Sequence, residues 1–198
     1  MKRKDQAAII KQMSDQEVTL QLILTQLIIL SMSIIGSVIL FESFWDGWIQ
    51  QFNLNMNQWI WFGILPGLMV LLIDYVLMYS LPERMYDDGG INVKVFQNRS
   101  IQGIIGITFL VAFSEEMLFR GVLHTEFGYI TASLLFAVMH IRYLTKIVLF
   151  ISVLFVSFFI GYMFEITSSL IVTITAHFII DLVLAFWIRF GKWGGLNE

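Results

Sequence analysis

Six long apolar runs constrain this chain more than any other feature: residues 18–41, 58–80, 101–123, 127–141, 143–164 and 168–190. About 20 apolar residues in helix cross a hydrocarbon core of about 30 Å, so most of these runs have the length of a membrane span. The fourth, about 15 residues at roughly 1.5 Å each, falls short and reads as a short or half-inserted helix. Lipid offers no partner to backbone N–H and C=O groups, which leaves helix bundles or closed barrels. Barrel strands alternate with period 2, and these runs are continuous. The expected fold is therefore an all-α polytopic transmembrane bundle of about six spans, read as one membrane domain over 1–198.

Composition agrees. Only 14% of residues are charged and 58% are hydrophobic, whereas a soluble domain carries roughly 25% charged residues. A net charge of −3 leaves no basic footprint for nucleic acid, and the chain has no Cys for a disulfide, a thiolate metal site or a nucleophile. The first run follows Lys2, Arg3, Lys4 and Lys11. It is too long for a signal-peptide core and lacks a small-residue cleavage site, so it reads as an uncleaved anchor.

Basic residues set the orientation. With the N-terminus cytoplasmic, eleven of the twelve collect on the inner side: Lys2, Arg3, Lys4, Lys11, Arg84, Lys94, Arg99, Arg142, Lys146, Arg189 and Lys192. The outer loops hold Glu42, Asp46, Glu126 and Glu165, and Trp45, Trp48, Trp59 and Trp61 are expected to form an outer aromatic belt. The segment 82–100, with Asp88-Gly89-Gly90, reads as a cytoplasmic turn. The twelfth basic residue, Arg120, falls near the outer end of the third run.

Five charges lie within spans: Asp74, Glu115, Glu116, Arg120 and Asp181. A charge near the bilayer centre costs at least about 2.5–3.5 kcal/mol, so such groups are paired, functional or both. Glu116 and Arg120 are four residues apart, on one helix face and within ion-pair reach. Glu115 is rotated about 100° from them. Two adjacent carboxylates in low dielectric cannot both be charged cheaply, and one Arg neutralises only one, so the second is suited to act as a general base. A structural ion pair beside a wet crevice satisfies the same spacing. His177 and Asp181 repeat the i, i+4 interval, as do Phe136 and His140; a satisfied buried His–Asp pair fits as well as a catalytic one. His124 reads as interfacial, and Asp74 as structural. Counted from the outer ends, Glu115, His177 and His140 lie roughly 12, 14 and 20 Å deep at 1.5 Å per residue, which is compatible with one intramembrane site. Two imidazoles and a carboxylate around a water-filled cavity can activate water and hold an oxyanion, the chemistry of amide hydrolysis.

These residues resemble the CPBP intramembrane proteases, which include CAAX-processing and bacteriocin-processing or Abi proteins. The motifs Glu-Glu-x-x-x-Arg, Phe-x-x-x-His and His-x-x-x-Asn/Asp appear here in order as Glu115-Glu116 with Arg120, Phe136 with His140, and His177 with Asp181. The match covers about residues 101–190, the expected catalytic core; residues 1–100 carry no motif. The resemblance implies that Glu115 deprotonates water with His140 assisting, that His177 and position 181 bind the oxyanion, that Glu116 and Arg120 form a positioning pair, and that Phe136 packs. Eukaryotic relatives carry Asn where this chain has Asp181. An ionised Asp cannot donate to an oxyanion, so Asp181 is expected to orient His177.

No cofactor is expected. Zinc is the alternative, since two His and a carboxylate form a ligand set, but His-Glu-x-x-His is absent and Glu115 serves poorly as both ligand and base. The implied partners are the bilayer and a membrane-embedded or lipidated peptide or protein substrate, in a bacterial cell membrane. Two rivals stand beside it: a bacteriocin self-immunity protein of the same fold that binds a peptide without cutting it, and a proton-coupled transporter, since buried Glu, His and Asp also build proton relays, against which the lack of an internal repeat with paired broken helices counts.

Overall fold

The computed structural model describes residues 12–82, 85, 86, 88–140, 143 and 146–191. Of the basic residues expected on the inner side, Lys2, Arg3, Lys4, Lys11, Arg84, Arg142 and Lys192 lie outside that set. The described residues form helices and connecting turns, with no strand among them. In chain order the helices are α1 (Asp15–Leu40), α2 (Phe44–Gln51), α3 (Met56–Ser80), α4 (Ile91–Phe96), α5 (Ile101–Phe127), α6 (Tyr129–Met139), α7 (Ile147–Thr167) and α8 (Leu170–Phe190).

Five of these, α1, α3, α5, α7 and α8, are long and apolar enough to cross a membrane. The fourth expected run becomes α6, only 11 residues or about 16 Å at 1.5 Å per residue. The third run extends past its expected end because the chain breaks at Gly128, whose φ of 84° and ψ of 165° are accessible essentially to glycine alone. One residue thus separates α5 from α6. The segment expected as a plain turn contains a helix, α4. The Asp88 carboxylate accepts from the backbone N–H groups of Gly90, Ile91 and Asn92 at 3.0–3.1 Å, covering donors that a helix start leaves unpaired.

α1 shows what a lipid solvent does to residue placement. Leu20, Leu24, Ile28, Ile35, Val38 and Ile39 are exposed, whereas Thr19, Gln26, Ser33 and Ser37 are buried. The polar stripe faces α5, and the apolar face is left for acyl chains. Such a helix is inverted relative to a soluble one, because lipid is as apolar as Leu and helix association depends on close packing and polar contacts.

α8 lies at the centre, against α3, α5 and α7. Small residues allow its approach to α3: a Cβ on Gly67 would lie 3.1 Å from Ala176 O. At one end of the bundle Lys94 donates to Met13 O, Arg99 to Thr19 Oγ1, and Arg189 to Arg99 O. The expected outer carboxylates gather at one site of their own: Glu42, Asp46, Glu126 and Glu165 line a cavity of about 830 Å³ that also includes Tyr129 and Phe164.

The aromatic belt differs from expectation. Trp45 and Trp61 are exposed, but Trp48 is buried among Met117, Val122, Phe164, Leu170 and Ile174, and Trp59 donates to Thr175 Oγ1 at 2.8 Å. Both indoles found N–H acceptors in the bundle, Trp48 using Ser37 Oγ at 3.2 Å, which makes burial of the ring affordable.

α6 and α7 meet through Gly161, where an added Cβ would lie 2.7 Å from Ser133 Oγ and 2.9 Å from the Tyr129 ring. Gly161→Val is therefore expected to lower stability by about 1–3 kcal/mol, read as a lower melting temperature in detergent. Gly106→Ala, where nothing lies within 4 Å of an added Cβ, should leave it unchanged or slightly raised.

Candidate active site

After Glu116 the α5 helix widens into π-type turns over Met117–His124. Such insertions are rare in helices and frequently mark functional sites. Glu115, Glu116 and Arg120 all fall at this junction. Arg120 is 1% exposed and Glu116 fully buried, and Arg120 Nη1 donates to Glu116 Oε1 at 3.0 Å. The guanidinium also donates from Nη2 to Ser157 O on α7 at 2.9 Å and lies over the Phe136 ring of α6, 4.6 Å from its centroid.

The same Glu116 oxygen accepts from His177 Nδ1 at 2.9 Å, bringing α8 into the network. Because a carboxylate accepts there, the His177 tautomer or cation carries its proton on Nδ1. On its other side, His177 Nε2 lies 3.5 Å from Asp181 Oδ2. The tighter hold on this ring therefore comes from Glu116, across the bundle, rather than from the sequence neighbour expected to orient it. The Asp181 side chain is 30% exposed, so the network runs from the dry interior at Glu116 outward to a half-open carboxylate.

His140 follows the last residue of α6 and is half-buried. Its Nδ1 is 3.0 Å from Phe136 O. A carbonyl only accepts, so Nδ1 carries the proton and, in the neutral ring, Nε2 keeps a lone pair. The Phe136 ring stands 4.8 Å from the His140 ring and 5.9 Å from that of His177, with Phe119 at 5.0 Å. Phe136 therefore joins the three motifs physically: Arg120 over its face, His140 beside it, His177 against its edge.

Glu115 points elsewhere, as a 100° rotation requires. It is 8% exposed, and its Oε1 accepts from Gln26 Nε2 on α1 at 2.9 Å. Among the described residues its Oε2 has no hydrogen bond. Gln26 is a site residue that motif reading passed over. The signal available for it was the polar stripe at 19, 26, 33 and 37 in an otherwise apolar run.

Two peripheral residues lie outside this network. His124 is buried in the protein, with Nε2 2.7 Å from Glu165 Oε2 and the Phe164 ring 4.9 Å away, and it lines the cavity of the outer carboxylates. Asp74 is half-buried on α3, while Arg120 takes its partners from α5, α6 and α7. None of the motif residues lines the acidic cavity.

As a zinc site the arrangement fits poorly. Both ring nitrogens of His177 face carboxylates, and among the described residues no group of three or more His, Asp or Glu side chains is placed to hold a metal ion.

The Rce1-like family, described as type II CAAX prenyl endopeptidase, matches residues 97–183, which include every motif residue. The uncharacterized protein YpbD of Bacillus subtilis is 47% identical over 167 residues, covering 84% of this chain and 88% of that protein. No solved structure matches. The chain, a multi-pass bundle whose motif helices fall within the matched segment, belongs to the Rce1-like family of type II CAAX prenyl endopeptidases.

Proposed function

We propose that this protein is an intramembrane endopeptidase that hydrolyses a peptide bond in a membrane-embedded or lipidated substrate with water activated by Glu115, without a metal. The observation that carries this reading is the division of labour between adjacent carboxylates. Glu116 is ion-paired through Oε1 to Arg120 and His177 at 3.0 and 2.9 Å, and its Oε2, also unbonded, is sealed in the interior, whereas Glu115 holds no cation directly, keeps Oε2 unbonded and retains 8% exposure.

In this mechanism a water donates to Glu115 Oε2 while its oxygen attacks the scissile carbonyl. Glu115 accepts the proton and later delivers it to the departing amine, as a base turned acid must. His140 Nε2, with its Nδ1 proton committed to Phe136 O, accepts from that water and orients it. His177, its Nδ1 proton held by Glu116, presents Nε2 at the half-open edge; with a second proton there it donates to the oxyanion of the tetrahedral intermediate. Asp181 beside Nε2 orients and balances that ring. Arg120 and Phe136 position the others and touch no reacting atom. In this reading water enters beside α6, whose 11 residues reach only about half of a hydrocarbon core of about 30 Å.

Purified protein in detergent, incubated with a prenylated CAAX peptide and a membrane-embedded peptide, tests this. Glu115→Gln preserves shape and is expected to fold normally while kcat falls by about 10²–10⁴-fold; retained cleavage would overturn the assignment of the base. Activity should survive a strong chelator, and loss on chelation with recovery on adding zinc would replace the metal-free mechanism. If wild-type protein binds the peptides without cutting them, the immunity-type reading takes over.

Arg120→Met separates positioning from catalysis. It strands Glu116 in the interior, and loss of one partner of a buried pair costs about 3–5 kcal/mol. The expected outcome is a lower yield of folded protein and a lower melting temperature, in contrast to Glu115→Gln.

A further inference from the structure

Ser114, Gln26 and Glu115 form a chain of polar groups between α5 and α1, two of them outside the family motifs. Gln26 is 3% exposed and Ser114 fully buried. Gln26 Nε2 lies 2.9 Å from Glu115 Oε1, and Gln26 Oε1 lies 2.6 Å from Ser114 Oγ. Ser114 Oγ is also 2.7 Å from Leu110 O, one turn back on its own helix. A hydroxyl has one proton and two lone pairs. Ser114 therefore cannot donate to Gln26 and to Leu110 at once.

The arrangement facing Glu115 settles the choice: the Gln26 NH₂ donates to Oε1, which leaves the Gln26 carbonyl to accept from Ser114. When Glu115 takes a proton on Oε2, Oε1 becomes the carbonyl oxygen of the acid and still accepts from the same NH₂. One amide orientation thus holds the carboxyl in both protonation states and leaves Oε2 for water. A general base in lipid needs such a partner, because a buried polar group loses its hydrogen bond at real cost whenever its protonation changes and its neighbour cannot pair with both forms.

We propose that Gln26 is a positioning residue for Glu115: its amide holds Oε1 in both protonation states of the carboxyl and so aims Oε2 at the water, with Ser114 fixing the orientation of the amide. The proposal rests on the reading of Glu115 as the general base for its kinetic consequence only. It gives the motif-free first half of the chain a share in the reaction.

The test uses full-length protein in detergent with the peptide substrates named above. Gln26→Met keeps side-chain length and removes the amide; kcat is expected to fall about ten-fold with KM within two-fold, at a melting temperature close to that of wild type. Ser114→Ala should lower kcat about two- to three-fold. Without substrate, infrared difference spectra taken across pH give the acid C=O and carboxylate bands of Glu115, assigned by their loss in Glu115→Gln. Both bands should shift in Gln26→Met, and the acid band in Ser114→Ala. Unmoved bands, or kcat for Gln26→Met within two-fold of wild type, overturn the proposal. If Gln26→Met does not fold, Ser114→Ala decides, and an unshifted acid band in it overturns the proposal. Should Glu115→Gln keep full activity, the assignment of Glu115 as base falls, while the infrared spectra still decide whether Gln26 serves both protonation states.

Discussion

A guanidinium held inside a lipid-facing bundle organises everything around it. Arg120 has to be satisfied on all sides by protein, and its partners come from three helices: Glu116 on its own α5, Ser157 O on α7 and the Phe136 ring on α6. Glu116, held in turn by Arg120, is left with lone pairs that His177 of α8 meets. Satisfying one cation thus fixes the relative placement of four helices. A charge near the bilayer centre costs at least about 2.5–3.5 kcal/mol, so arrangements that break this network are strongly disfavoured. The pair specifies a geometry more than it adds net stability, since the desolvation of two charges offsets most of their attraction.

Around that centre, polarity is graded. Glu116 is dry, Glu115 and His177 are nearly so, and Asp181 and His140 are half-open. On the proposed mechanism this gradient lets water approach Glu115 while Glu116 and Arg120 stay dry. The cluster of Trp48, Met117, Val122, Phe164, Leu170 and Ile174 touches the acidic cavity through Phe164, and the lining of that cavity includes no motif residue.

Much of this was legible in the sequence, and the reasons differ by residue. Long apolar runs and i, i+4 pairs are local properties, so the spans and the Glu116–Arg120 contact follow from counting. The convergence of the motifs on Phe136 is not local, and neither is the Glu116–His177 bond, whose partners are 61 residues apart. The pairing of His124 with Glu165, 41 residues away, is likewise not local. Trp48 was read as a belt residue because an indole suits an interface; that Ser37 would supply an acceptor depended on packing between α1 and α2. α4 was missed because six residues between Gly90 and Gln97 carry too little periodicity to stand out from a turn.

Gln26 is the instructive omission. In a soluble helix a lone Gln among apolar residues is ordinarily the exposed one, and its burial would be the anomaly. In lipid the inference reverses: an apolar residue has no reason to turn inward, and a polar one has every reason to. Thr19, Gln26 and Ser33 recur every seven residues, and Ser37 follows four later on the same face, so the stripe marks the side of α1 that meets α5 before any partner is known. The partner it meets is Glu115, the carboxylate that Arg120 leaves without a direct bond. On the proposed mechanism a helix with no catalytic motif still serves the reaction, because a primary amide presents a donor to the carboxylate and an acceptor to Ser114 from one side chain.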